Sequence, residues 1–271
     1  MDRVSPGSHS GLVGRDRELA ILNGCLTAAQ GGRGSLVLIS GEAGIGKTAL
    51  TNSFTHAATN ARLTVLTGHC YDRTETPPYG PWREIGQRVD AIPVPRIDDA
   101  TSQADLFTQA RDFLAAMTAE RPLVLVLEDL HWADNASLDL LRFLARGFGD
   151  LPLLCVATYR DDEVERHHPL AGLVPLLVRE APTERLSLRP LNTSAAQALV
   201  RARYDFAEPA SERLAMYLIE RTEGNALFMT ELLRSLEEDR LLERVVSDPH
   251  AWSLAPTPVP SLLQQIVDDR L

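Results

Sequence analysis

The sequence predicts an α/β fold in which a parallel sheet carries helices on both faces and is followed by a helical subdomain. Three observations predict it. Short aliphatic stretches of strand length alternate with stretches of helical periodicity over the first 190 residues, as in parallel sheets. A glycine-rich segment joins the first predicted strand to a predicted helix. After Pro190 the strand signal ends and three amphipathic helices follow.

The individual elements follow from periodicity and from breaker residues. The predicted strands are residues 35–40, 62–68, 123–128, 152–158 and 184–188. A helix is predicted over residues 103–119, and the three later helices over residues 193–204, 209–222 and 226–238. The proline-rich residues 71–98 predict an irregular excursion.

The composition narrows the class of protein. Of the 271 residues, 44% are apolar and 24% charged, a balance typical of globular chains and not of disordered or fibrous ones. The 27 basic and 37 acidic residues give a net charge of −10, so we expect this part of the protein not to bind nucleic acid directly. No apolar stretch approaches the ~18 residues that cross a bilayer, and no secretory signal opens the chain. We therefore expect a cytoplasmic protein without membrane contact.

Residues 41–48, GEAGIGKT, match G-x-x-x-x-G-K-[ST], the phosphate-loop (P-loop) pattern of proteins that bind nucleoside triphosphates. Glycines let the backbone curl so that its N–H groups surround an anion at a helix N-terminus. Lys47, the one lysine of the chain, is expected to reach the β- and γ-phosphates, and the Thr48 hydroxyl to ligate Mg²⁺. The predicted phosphate-binding residues are Gly41, Glu42, Ala43, Gly44, Ile45, Gly46, Lys47, Thr48 and Ala49.

The base of the nucleotide is predicted by an absence in the sequence. Guanine-specific P-loop proteins use an N-K-x-D motif, which needs a second lysine. Because the sequence contains only Lys47, the expected nucleotide is ATP or ADP.

Two carboxylates follow the third predicted strand. Glu128 and Asp129 end the run LVLVLED, at the strand edge where open α/β sheets bind ligands. Glu128 is expected to orient Mg²⁺ and Asp129 to polarise the attacking water, although a one-residue shift in register would exchange these roles. With Thr48 they form the predicted metal site.

The fourth predicted strand also ends in polar residues. Thr158 and Arg160 stand where a side chain could sense the γ-phosphate, and an arginine can grip phosphate through two hydrogen bonds. The alternative is an arginine that pairs with Asp161 or Asp162 in the loop. Arg160 therefore joins Lys47, Glu128 and Asp129 as a predicted catalytic residue.

With these motifs in hand, the chain resembles the nucleotide-binding module of the STAND class, signal-transduction ATPases with numerous domains. More narrowly it resembles the large ATP-binding regulators of the LuxR family. The motifs that carry the resemblance are LVGRDRELAIL, GEAGIGKT, LEDLHWAD, ATYRDDE and EGNALFMTELLRSL. It implies that Val13, Gly14 and Arg15 lie near the adenine and that Arg160 is the sensor. It also implies that Gly224, Asn225 and Ala226 contact the nucleotide. Ala226 stands where the family has proline, and Glu128 where aspartate is commoner.

We therefore expect three parts: a P-loop domain over residues 1–190, a helical lid over residues 191–255, and the start of a winged-helix-like domain over residues 256–271. Because the last helical pattern is interrupted at Leu271, we expect the natural protein to continue. The predicted function is a slowly hydrolysing ATP switch that contacts itself or C-terminal effector domains. The alternatives are a constitutive small-molecule kinase or metabolic ATPase, and a nucleotide-binding scaffold that has lost hydrolysis.

Overall fold

A computed structural model describes residues 12–72, 77–89, 102–238 and 242. They form two compact units. The sheet unit comprises Arg17–Ala43 and Lys47–Leu188. The helical unit joins the described residues up to Asp16 and the three residues Gly44–Gly46 to the segment that begins at Arg189. The sequence predicts a single boundary at residue 190. The observed division also assigns the described residues up to Asp16, and Gly44–Gly46, to the helical unit. The expected domain start over residues 256–271 lies outside the described residues.

The sheet unit is built on five parallel strands. They are β1 (Ser35–Ser40), β2 (Thr64–His69), β3 (Leu123–Glu128), β4 (Leu153–Tyr159) and β5 (Thr183–Ser187). Their order across the sheet is β2-β3-β4-β1-β5, so β4 is inserted between β1 and β3. This confirms the predicted parallel sheet: β1 and β3 have the predicted bounds, and the ends of the other three strands differ from the predicted ones by one or two residues. The insertion places the end of β4 between the ends of the two strands that carry the phosphate loop and the acidic pair.

Helices cover both faces of the sheet. In the sheet unit they are α1 (Asp16–Gln30), α2 (Lys47–Asn60), α3 (Gly80–Gln87), α4 (Gln103–Thr118), α5 (Asn135–Ala145) and α6 (Pro169–Glu180). Leu125 and Leu127 of β3 pack into one large apolar core, while Val124 and Val126, which point to the opposite face, are also almost fully buried. A strand buried on both faces explains the continuous aliphatic run that predicted β3.

Helix α3 corrects the expectation that residues 71–98 are irregular. It begins after Tyr79, whose φ of 65° is left-handed, and Pro81 lies in its first turn, where the missing N–H costs nothing. The Asp134 carboxylate accepts a hydrogen bond of 3.2 Å from the Tyr79 N–H and also caps α5 by accepting one from the Ser137 N–H at 2.9 Å. Asp134 therefore joins the start of α3 to the start of α5. Residues 73–76 and 90–98 of the stretch lie outside the described part.

The helical unit contains α7 (Thr193–Arg203), α8 (Glu208–Thr222) and α9 (Ala226–Glu238), as the sequence predicts. Their apolar faces form a separate core that includes Leu214, Leu218 and Leu233. Arg203 at the end of α7 donates two hydrogen bonds, of 2.9 and 2.8 Å, to the Glu237 carboxylate of α9. The three helices therefore share a hydrophobic core of their own, and an ion pair joins the end of α7 to the end of α9. None of the described helices is long and apolar enough to cross a membrane.

Candidate functional site

The phosphate loop leaves the end of β1 and enters α2 at Lys47. Gly41, Gly44 and Gly46 have φ angles of 152°, 73° and 105°, a region that side chains with a Cβ rarely adopt. The motif's glycines are therefore required by the backbone conformation. Helix N-termini present N–H groups without intrahelical partners and partial positive charge, and α2 begins at the end of this loop. Thr48 and Ala49, in the first turn of α2, are exposed.

Lys47 is folded back onto its own loop. Its ammonium donates hydrogen bonds of 2.6 Å to the Gly41 carbonyl and 2.9 Å to the Glu42 carbonyl, and the residue is buried. Burial lowers the pKa of Lys47, and the positive charge of Arg160 lowers it further, whereas the Asp129 carboxylate opposes the shift. Arg160 and Asp129 are thus close enough to influence Lys47 electrostatically. Two of the other predicted catalytic residues therefore lie within electrostatic range of Lys47.

Glu128 has an unexpected partner. The Thr51 hydroxyl, one turn along α2 from Lys47, donates a hydrogen bond of 2.9 Å to Glu128 Oε1. Both residues are buried. This bond leaves Glu128 Oε2 as the oxygen that could face a hydrated metal ion.

Asp129 occupies a turn directly after β3. Its φ of 59° is left-handed, and its N–H donates a hydrogen bond of 3.0 Å to the Thr158 hydroxyl at the end of β4. The Asp129 side chain keeps 29% of its surface exposed, whereas Glu128 is buried. Thr158, predicted as a possible phosphate sensor, therefore anchors the backbone of the acidic pair. The more accessible carboxylate belongs to Asp129.

Arg160 lies beyond the end of β4 and is half-buried. Its guanidinium forms an ion pair with Glu163 and lies 5.2 Å from the centre of the Trp132 ring. The predicted alternative partners were Asp161 and Asp162; the partner in the structure is Glu163. The Arg160 N–H donates a 3.4 Å hydrogen bond to His131 Nδ1. Trp132 contributes both to core packing and to the placement of Arg160.

The donor set of the sheet unit fits Mg²⁺. This ion prefers oxygen ligands and retains several waters, so a hydroxyl and one or two carboxylates suffice beside the phosphates. Thr48 supplies an exposed hydroxyl, and Glu128 and Asp129 supply carboxylates at the end of β3. Among the described residues, no cluster of three or more histidine, cysteine or acidic side chains could hold a metal ion without other ligands. A metal held jointly with phosphate is consistent with this arrangement.

Two phosphate-loop residues that belong to the helical unit, Gly44 and Ile45, accept hydrogen bonds through their backbone carbonyl groups. Arg15 donates a 2.8 Å hydrogen bond to the Ile45 carbonyl and another of 2.8 Å to the Arg189 carbonyl. The Leu227 N–H donates a 2.9 Å hydrogen bond to the Gly44 carbonyl. In a loop that turns its N–H groups toward an anion, carbonyl groups need partners elsewhere. Arg15 and Leu227 satisfy two of them.

The glycine-asparagine pair before α9 has a local structural role as well. Asn225 Oδ1 accepts hydrogen bonds of 3.1 and 3.3 Å from the N–H groups of Leu227 and Phe228, so it caps α9. A Cβ on Gly44 would lie 2.8 Å from Asn225 Oδ1, and a Cβ on Gly46 would lie 3.8 Å from the Ala226 Cβ. Gly224 is packed against the backbone of Leu191, where a Cβ would lie 2.4 Å from the Leu191 carbonyl oxygen.

A family model described as "AAA ATPase domain" matches residues 11–156, more than half of the chain. The chain belongs to this family of AAA ATPase domains. It is therefore a nucleotide-binding P-loop ATPase domain with the fold that the sequence predicts.

Individual relatives are more distant. An uncharacterized protein of Rhizobium meliloti (strain 1021) is 26% identical over 94% of this chain, which spans 28% of that protein's length. Among solved structures, the Aeropyrum pernix Orc1 protein in complex with DNA has a TM-score of 0.57 at 20% identity, covering 87% of this chain and 62% of that one. A signal transduction ATPase with numerous domains (STAND) from Pyrococcus horikoshii, with a tetratricopeptide repeat sensor, has a TM-score of 0.51 at 18% identity, covering 84% and 31%. At these identities the structures share the fold.

The predicted site residues of the ATPase domain fall into two groups. In the sheet unit are Gly41, Glu42, Ala43, Lys47, Thr48, Ala49, Glu128, Asp129 and Arg160. In the helical unit are Val13, Gly14, Arg15, Gly44, Ile45, Gly46, Gly224, Asn225 and Ala226. Arg15, Gly44, Ile45 and Asn225 meet directly within the second group, and Lys47 contacts Gly41 and Glu42 within the first.

Sequence reasoning missed three residues of the ATPase domain's site. Thr51 binds Glu128, Glu163 binds Arg160, and the buried His131 lies beside both Asp129 and Glu163. Thr51 follows Lys47 by one helical turn, and that spacing could have indicated a hydroxyl on the same face of α2. Glu163 follows Arg160 at the i+3 spacing typical of local ion pairs, a weaker signal in a loop.

Proposed function

We propose that this ATPase domain is the nucleotide-dependent switch of a larger signal-transduction protein of the STAND class, akin to the LuxR-family regulators that its motifs resemble. The observation that carries the proposal is the bonding of the phosphate loop. The carbonyls of Gly44 and Ile45 accept hydrogen bonds from Leu227 and Arg15, in the same compact unit as helices α7–α9. A rearrangement of the loop on nucleotide exchange would change the partners of α9 directly.

In this proposal the loop backbone over residues 41–49 binds the phosphates, and Lys47 exchanges its two carbonyl partners for phosphate oxygens. When bound, Mg²⁺ neutralises charge on the β- and γ-phosphates. Thr48 and Glu128 would hold it, and the more exposed Asp129 would orient and polarise the attacking water. Arg160 senses the γ-phosphate, and the resemblance puts Val13, Gly14, Arg15, Gly224, Asn225 and Ala226 near the nucleotide.

Slow hydrolysis is part of the proposal because the first acid is a glutamate that is hydrogen-bonded to Thr51. ADP would hold the resting state, exchange for ATP would produce the active one, and hydrolysis would reset it. The chain would act within a longer cytoplasmic protein, through self-association or effector domains in transcription control. With its net charge of −10, it would contact neither nucleic acid nor membrane itself.

The test is to denature freshly purified protein, identify the released nucleotide by chromatography and then follow phosphate release from added ATP. We expect close to one ADP per chain and slow turnover. Lys47→Met, which keeps the length of the side chain but removes its charge, should lose nucleotide, whereas Arg33→Met, a control at an exposed cation, should retain it. Rapid turnover from an empty site would favour a constitutive enzyme. Bound ATP without detectable hydrolysis would favour a scaffold.

A further inference from the structure

Part of the Arg160 guanidinium is already bound within its own loop, through Nη1. Its guanidinium is paired with the Glu163 carboxylate and packs against the Trp132 ring. Glu163 is three residues further along the same loop, with 37% of its side chain exposed. An arginine that pairs with a carboxylate cannot offer the same N–H groups to a phosphate. Glu163 and a γ-phosphate would therefore compete for Nη1 of this guanidinium.

His131 fixes this arrangement from the protein interior. Its side chain has 0% of its surface exposed, and burial lowers its pKa to about 4, so the ring is neutral near pH 7. His131 Nδ1 accepts a hydrogen bond from the backbone N–H of Arg160. Because the ring is neutral, its one proton is then on Nε2. Within the described residues Nε2 has no hydrogen-bond partner, and it faces Glu163 Oε2 at 3.5 Å. Glu163 thus lies between two positively polarised groups.

The backbone of His131 is itself anchored. Its backbone carbonyl accepts a hydrogen bond of 2.8 Å from His168 Nε2, and His168 caps α6 by accepting one from the Leu170 N–H at 3.1 Å. Arg160, for its part, is near enough to Lys47 to lower the pKa of that lysine. Arg160 therefore lies near the phosphate loop while its side chain is paired with Glu163.

We propose that Glu163 is a specificity-determining residue that weakens the preference of the site for ATP over ADP by holding Arg160 until a γ-phosphate displaces it. The proposal rests on the function proposed above, because it takes Arg160 as the γ-phosphate sensor. ADP has no γ-phosphate to compete with Glu163, so the ion pair persists in the ADP complex. ATP must break the pair before Arg160 can bind, and part of its binding energy is used in doing so.

The experiment compares Glu163→Gln with Asp161→Asn in the 271-residue chain. Both changes remove one carboxylate from the same loop, and the Asp161 carboxylate acts electrostatically on Lys47 without pairing with Arg160. After removal of bound nucleotide, the dissociation constants of ADP and of a non-hydrolysable ATP analogue are measured by calorimetry with Mg²⁺. The quantity compared is the dissociation constant of ADP divided by that of the ATP analogue. We expect Glu163→Gln to raise this ratio about three- to five-fold, the range for one partly exposed ion pair. Asp161→Asn should leave the ratio within about two-fold.

A second pair of variants shows whether Glu163 acts through Arg160. In an Arg160→Ala background, Glu163→Gln should no longer change the ratio. Glu163→Ala should change the ratio as much as Glu163→Gln does, so that a folding defect in one of the two variants is not mistaken for the effect. Equal shifts in Glu163→Gln and Asp161→Asn, or a shift that survives in Arg160→Ala, would overturn the proposal. Failure of the unaltered chain to bind either nucleotide, or equal binding by Lys47→Met, would instead overturn the proposed function.

Discussion

Replacing Thr51 with valine tests the hydrogen bond that holds Glu128. Valine has nearly the shape of threonine but no hydroxyl, so the change removes the 2.9 Å bond to Glu128 Oε1 and preserves most of the packing. Thr51 is 1% exposed and Glu128 7% exposed, so water cannot readily replace the lost donor. A hydrogen bond to a charged group contributes about 1.5–3 kcal/mol, and the new buried methyl group returns roughly 0.8 kcal/mol. We therefore expect the free energy of unfolding to fall by about 1–2 kcal/mol.

The measurement is urea unfolding without nucleotide or metal, followed by tryptophan fluorescence. In a Trp252→Phe background the remaining tryptophans, Trp82 and Trp132, both lie in the sheet unit. Thr51→Ser keeps the donor but deletes one buried methyl group, so it should cost roughly 0.8 kcal/mol with either residue at position 128. In a Glu128→Gln background the cost of Thr51→Val should shrink by roughly 1 kcal/mol, because the acceptor is then uncharged. An equal cost of Thr51→Val in the unaltered and the Glu128→Gln backgrounds would refute the reasoning.

Three further outcomes are expected. Burial lowers the pKa of His131 to about 4, below the ~6.5 of a histidine in the unfolded chain. The free energy of unfolding should therefore fall by up to about 3 kcal/mol as the pH drops from 6.5 to 4. His131→Asn should flatten that pH dependence in unfolding curves measured at several pH values. Gly44→Ala, at a φ of 73°, should cost about 2 kcal/mol or more and weaken ADP binding, whereas Gly24→Ala, with open space inside α1, should stabilise by roughly 0.5–1 kcal/mol. Arg15→Met should weaken ADP binding at least about ten-fold, because the Ile45 and Arg189 carbonyls lose this donor. An unchanged affinity in calorimetry would contradict a role of Arg15 in stabilising the phosphate loop.

Local patterns were enough to predict most of the framework. The five strands, the helices after Pro190 and the phosphate loop were all predicted, because periodicity and glycine placement act over a few residues. The short helix α3 was missed because prolines that lie in a first helical turn look the same in the sequence as prolines that break structure. The acidic residues at the end of β3 were predicted because a buried aliphatic strand that ends in carboxylates is a local signal.

Only the tertiary structure decided how those parts are joined. The strand order inserts β4 between β1 and β3, which brings Thr158 to the backbone of Asp129 and Arg160 into electrostatic range of Lys47. Thr51 lies 77 positions from Glu128 in the chain, and Arg15 lies 174 positions from Arg189. No periodicity extends over such separations, because they are set by how the elements pack. The sequence by itself determined that the chain has a phosphate loop, and the tertiary structure decided which side chains hold it.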